Sequence, residues 1–99
     1  MYLVGIDFGS LNIVVGVPRS RGIDIVRDEI YSALIKNYVS FDTQHHDRKI
    51  GNPGYQQHIR NVRKCVFGLK NILARQFDDE EVQQELKHLP YGHDQLPNG

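Results

Sequence analysis

The residues whose types and spacing could do chemistry are gathered in Gly5-Ile6-Asp7-Phe8-Gly9-Ser10-Leu11-Asn12. An apolar run there ends in a carboxylate, and a tight turn follows through a glycine and a hydroxyl residue. Glycine lets a backbone approach an anion closely, turn N–H groups can point at phosphate oxygens, and a nearby Asp can hold magnesium through water. Ser10 adds a hydroxyl donor. The same pattern also fits a hairpin turn beside a solvated Asp, and the eight residues alone leave both readings open.

The elements that must position this turn are strands. Residues 2–8 and 12–17 are apolar runs separated by Gly9-Ser10-Leu11, which predicts a hairpin. Residues 18–22 are a polar turn, and Ile23-Asp24-Ile25-Val26 predicts a third strand, completing an antiparallel meander over 2–26. Residues 28–37 fit either a helical turn or an irregular crossing, and Tyr38-Val39-Ser40-Phe41 predicts a short strand. Asn52-Pro53 places a cap residue before a helix-opening proline. Val62, Cys65, Val66, Leu69, Ile72 and Leu73 have the three-and-four spacing of a buried helix face, weakened by about 1 kcal/mol at Gly68. Asp78 with Glu81 resembles a capping box for a helix carrying Val82, Leu86 and Leu89, ended by Pro90. The expectation is an α/β chain, β-rich over 1–41 and mainly helical over 42–99.

Composition excludes several function classes. Of 99 residues, 39% are hydrophobic and 24% charged, a globular balance that allows one compact unit. Lys plus Arg and Asp plus Glu number 12 each. That balance removes the broad positive field of nucleic-acid and acidic-membrane binders, so neither partner is expected. Cys65 is the single cysteine, which rules out an internal disulfide and a zinc site built on cysteines. On its apolar stripe it reads as packed and unreactive. His45-His46 beside Asp47 could be metal ligands, but adjacent side chains in a loop seldom converge on one ion. No basic segment precedes a long apolar one, so the expected location is cytoplasmic, with nuclear residence also open.

Gly5 to Ser10, Arg21 to Val26, Val39-Ser40-Phe41 and Arg48-Lys49-Ile50-Gly51 occur in the order and spacing of the seventy-kilodalton heat-shock chaperones. Gln76-Phe77-Asp78-Asp79 and the run from Val82 to Tyr91 are similar to that family's helical subdomain. Arg21-Gly22-Ile23-Asp24-Ile25 and Gln95-Leu96-Pro97-Asn98-Gly99 resemble its hundred-and-ten-kilodalton branch.

The resemblance implies part of an actin-like, ribonuclease-H-like ATPase domain over 1–99, with ATP or ADP and magnesium as ligands. It puts the first phosphate loop on Gly9, Ser10, Leu11 and Asn12, with Asp7 as the magnesium-side carboxylate. Leu11 departs from the threonine of the seventy-kilodalton members and loses a hydroxyl. The family's phosphate-assisting lysine falls on Tyr55, which carries no positive charge at neutral pH. The second phosphate loop and the adenosine segment would lie beyond position 99. The implied function is an ATP-binding chaperone or co-chaperone that exchanges nucleotide on a seventy-kilodalton partner chaperone and, at full length, holds unfolded polypeptides. The alternative is a truncated, catalytically inactive chain that acts only by binding, or not at all.

Overall fold

The computed structural model describes residues 3–99, and Met1 and Tyr2 lie outside the described residues. The expected meander is present: β1 (Gly5–Phe8), β2 (Asn12–Arg19) and β3 (Gly22–Ile25) pair antiparallel in that order. The register sets Asp7 opposite Val14 and Gly16 opposite Ile25. A two-residue strand, β4 (Ile35–Lys36), adds to β2 with Asn12 opposite Lys36 and Ile13 opposite Ile35. The segment leading to β4 is an irregular crossing, not a helix. Asp28 organises it by accepting the N–H groups of Ile30 and Ser32 at 3.1 and 2.8 Å.

A second antiparallel sheet has the order β6 (Asp47–Ile50), β5 (Tyr38–Asp42), β7 (Cys65–Phe67). Helix α1 (Asn52–Arg60) packs on it, and α2 (Glu80–Leu86) follows. The α/β class therefore holds, with antiparallel sheets. Within 42–99 the helical elements, α1, α2 and two 3-10 turns, are joined by the strands β6 and β7.

The helix expected from Val62 is replaced by a 3-10 turn (Val62–Lys64), strand β7 and a second 3-10 turn (Leu69–Asn71). A left-handed residue inside this stretch, Gly68 at φ 71°, is incompatible with a continuous helix. The β-branched and aromatic pair Val66-Phe67 takes the open edge of β5, gaining ladder hydrogen bonds that a helix would have made internally. Of the predicted stripe, Cys65 is fully buried, whereas Leu69 is 44% and Leu73 65% exposed.

Both expected helix starts move by one residue. Asn52 is the first helical residue of α1, with Gly51 before it at φ 76°. Its amide does not cap the helix; it donates to Asp28 Oδ2 at 2.6 Å and to the Leu34 carbonyl at 3.1 Å. In α2 the cap is Asp79, whose carboxylate accepts the Glu81 N–H. Val82 and Leu86 are buried on its inner face, as the stripe predicts. No described helix is long and apolar enough to cross a membrane.

Close approach of α1 to the second sheet depends on small residues. Gly54 of α1 faces the carbonyls of Lys49 and Tyr38, which an added Cβ would meet at 2.9 and 3.1 Å. Ser40 and Cys65 are opposite each other in the sheet and are both buried, and the Cys65 thiol donates to the Gly54 carbonyl at 3.6 Å.

Candidate functional site

The turn between β1 and β2 is narrow for a geometric reason. Gly9 N–H donates to the Asn12 carbonyl at 2.9 Å, and a Cβ at Gly9 would stand 2.5 Å from that same oxygen. Only glycine fits that approach without a shift of the turn.

Asn37, between β4 and β5, fastens the turn from one side. Its backbone N–H donates to the Leu11 carbonyl and its side-chain amide to the Gly9 carbonyl, both at 2.9 Å. In a trans peptide the N–H points opposite to the C=O. Holding the Gly9 carbonyl toward Asn37 therefore turns the Ser10 N–H away from it. Among the described residues neither the Ser10 nor the Leu11 N–H donates to a protein acceptor, and both residues are exposed. The turn thus presents backbone donors suited to an oxyanion. Sequence reasoning missed Asn37, since its partners lie 26 and 28 positions away and no local pattern marks it.

Ser10 and Leu11 also line a cleft of about 240 Å³, closed by Tyr38, Phe67, Glu85 and His88. The strand order brings these residues together: Tyr38 is opposite Phe67 across β5 and β7, and α2 brings up Glu85. Glu85 is the carboxylate facing this space, where it accepts the Asn71 amide at 3.4 Å.

Tyr55 lies in α1, away from the lining of that cleft. Its ring meets Tyr38 edge-on at 5.0 Å and stacks with His58 at 6.0 Å. Tyr38 and His58 in turn contact Phe67, at 5.0 and 4.9 Å, and Tyr91 joins at 5.8 Å with its hydroxyl donating to the Phe67 carbonyl. Such pairs each contribute about 0.5–1.5 kcal/mol beyond burial, so Tyr55 has a packing role here. Burial, with the neighbouring Tyr55 phenol and Cys65 thiol, pushes the Tyr38 phenol above its usual range. Burial also raises the Cys65 thiol, which agrees with a packed, unreactive side chain.

Asp7 is exposed on β1. Among the described residues there is no group of three or more His, Cys, Asp or Glu side chains placed to hold a metal. A lone carboxylate suits magnesium that keeps most of its waters and takes its other ligands from phosphate. The chain's own residues thus fit an oxyanion at the turn and offer magnesium one carboxylate. His45 of the candidate metal pair instead binds Asp42, Nδ1 to Oδ2 at 2.8 Å.

Comparison with known proteins is consistent along the chain. The family described as Hsp70 protein matches residues 3–99. "Heat shock 70 kDa protein 4L" of Homo sapiens is 38% identical over 99 residues, covering 100% of this chain and 12% of the relative. "Heat shock protein 88" of Dictyostelium discoideum is 30% identical over 98 residues, 99% of this chain and 12% of the relative. "97 kDa heat shock protein" of Strongylocentrotus purpuratus is 35% identical over 99 residues, 100% of this chain and 11% of the relative. The chain spans about 12% of the length of these curated relatives.

Proposed function

The chain belongs to the Hsp70 family, and on that premise we propose that it supplies the first phosphate-contacting turn of an ATP-binding heat-shock chaperone. The observation that carries the reading is the Gly9–Asn12 turn, which is closed so tightly that it needs glycine, is clamped by Asn37 at the Gly9 and Leu11 carbonyls, and leaves the Ser10 and Leu11 N–H groups without a protein acceptor among the described residues.

In this reading Ser10 and Leu11 donate to phosphate oxygens, the Ser10 hydroxyl adds a third donor, and Asp7 meets a water of the magnesium ion. Bound magnesium would neutralise phosphate charge and polarise the terminal phosphoryl group. These residues touch one side of the phosphates. Leu11 brings no hydroxyl and Tyr55 no charge, and a missing charged contact costs about 2–4 kcal/mol, or 30- to 1,000-fold. Ninety-nine residues therefore bind ATP weakly and do not turn it over. In the whole protein the role is that of a cytoplasmic heat-shock chaperone acting on unfolded polypeptides. The branch resemblance in 21–25 and 95–99 extends it to nucleotide exchange on a partner chaperone.

Amide NMR of the chain titrated with magnesium and ATP tests the site. Dissociation in the millimolar range is expected, with Ser10, Leu11 and Asn12 shifting first and phosphate release at the buffer rate. Shifts confined to other segments would overturn the reading. So would turnover above buffer that Asp7→Ala abolishes, since that would mean the turn works without a second wall.

A further inference from the structure

We propose that the polar cleft between α1 and the second sheet binds a small phosphate monoester that carries hydroxyl groups. This cleft shares no lining residue with the one at the β1–β2 turn, so the inference stands apart from the reading of that turn.

Three observations carry it. First, the sheet face under α1 changes character along β5. Tyr38, Ser40 and Asp42 fall on one face by their alternate spacing. Tyr38 packs against Tyr55 and His58 of the helix, whereas Ser40 and Asp42 open into a cleft of about 180 Å³ walled by Lys49, Gln57, Asn61 and Lys64. A sheet face beneath a helix is ordinarily filled by apolar side chains. Second, Ser40 is only 3% exposed, yet its hydroxyl has no hydrogen-bond partner among the described residues. A buried hydroxyl left without a partner is costly, and a ligand in the cleft would supply one. Third, Lys49 lies opposite Ser40 across β5 and β6, half-buried and without an ion pair among the described residues.

Lys64 adds a second ammonium, whose Nζ donates to Thr43 Oγ1 at 3.2 Å and keeps its other protons. Two ammonium groups in one cleft suit a dianion. Asp42 does not cancel them, because its carboxylate is turned to the β5–β6 turn, where it accepts the Gln44 N–H at 2.9 Å and bonds His45 Nδ1 at 2.8 Å. A phosphate monoester is largely dianionic at neutral pH, since its second pKa is about 6. Its oxygens can take protons from Lys49, Lys64 and Ser40. Gln57 and Asn61, one helical turn apart at the end of α1, offer amides that both donate and accept, which suits hydroxyl groups on the esterified part.

The test titrates the chain with glycerol 3-phosphate, inorganic phosphate and glycerol, following backbone and side-chain amides by NMR. Saturable shifts are expected at Ser40 and Lys49 and at the Gln57 and Asn61 side chains, at lower concentration for glycerol 3-phosphate than for inorganic phosphate, and none with glycerol. Lys49→Met should weaken binding by about tenfold to a hundredfold, the usual loss for a charge-assisted hydrogen bond, and Ser40→Ala by about threefold to tenfold. Arg48→Met removes the same charge from the opposite face of β6 and should change nothing. No saturable shift at these residues, or shifts confined to Ser10 and Leu11, overturns the inference. Equal effects of Lys49→Met and Arg48→Met would mean general charge attraction and also overturn it. Inorganic phosphate bound as tightly as the ester overturns the ligand class. If Lys49→Met fails to fold, Lys64→Met at an exposed side chain takes its place, and unchanged affinity there overturns the site.

Discussion

The two sheets are built from similar residues and end in different states. In the first, every residue of β1 and β3 is exposed, including Ile6 at 64% and Ile23 at 71%. In the second, α1 covers one face and the buried Ser40 and Cys65 lie beneath it, with a cluster of aromatic rings around Tyr38. Composition does not separate them, since β1 to β3 are the richer in Ile and Val. Having a partner element does. The second sheet finds α1 two residues after β6 and lies beneath it, whereas α1 reaches the first sheet at its short strand β4 and leaves β1 and β3 exposed.

The consequence is visible in size. The accessible surface is 7891 Å², where a folded monomer of 11.4 kDa exposes about 5,800 Å². The radius of gyration is 16.1 Å against roughly 13 Å for a compact chain of this length. Stability therefore comes from the second sheet with α1 and from the buried face of α2, and the first sheet holds the chemically suited turn on a lightly buried support.

The largest effect that would break this contrast is in the buried face of α2. Leu86→Ala should cost about 2–4 kcal/mol in denaturant melts, and Ile23→Ala less than about 0.5 kcal/mol. Leu69→Ala, which sequence spacing alone would rank beside Leu86→Ala, should fall well below it because Leu69 is 44% exposed. Equal losses at Leu86 and Ile23 would mean the first sheet is packed after all.

A glycine pair gives the next effect, and its signs differ. Gly54→Ala puts a methyl group against two backbone carbonyls and should destabilise by about 1–3 kcal/mol, although alanine would ordinarily favour a helix. Gly16→Ala meets only the side chains of Ile23 and Ile25, at 3.2 and 3.8 Å, and should be neutral or stabilising by about 0.5–1 kcal/mol. Thermal melts of both variants decide it, and a stabilising Gly54→Ala would show that α1 does not dock through that residue.

The smallest effect is electrostatic and belongs to the second sheet. The His45 imidazole bonded to Asp42, with the N–H groups of Gln44 and His45, holds the Asp42 carboxyl at about 2, below the ordinary 3.8. A depressed folded pKa stabilises above the unfolded value and loses that contribution as pH falls toward the folded one. The loss should therefore run from about pH 4 down to about pH 2. Asp42→Asn should flatten this part of the stability–pH curve, and an unchanged curve would remove the His45 contact from the account.

Local patterns were legible wherever the chain satisfied itself nearby. The β1–β3 meander followed from alternating apolar runs and polar turns. The α2 helix followed from its acidic first turn and the Val82–Leu86 stripe, but it ends at Leu86, before the Leu89 and Pro90 that were expected to close it. The candidate turn at Gly9–Asn12 followed from a glycine and a hydroxyl at the end of a strand. The sequence by itself determined these because turn chemistry and short-range periodicity act within a few residues.

Tertiary structure alone decided the rest. The spacing from Val62 to Leu73 suited a helix, but the free edge of β5 recruited Cys65–Phe67 as a strand, and an edge is a property of the sheet. Asn37 became the clamp of the turn, and Lys36 came to lie between Asn12 and Tyr55, because β4 pairs with β2 across more than twenty residues. Tyr55 was placed in an aromatic cluster by the docking of α1, which no spacing along the chain records. Contacts of long sequence separation depend on which surfaces meet, and that is fixed only when the elements pack.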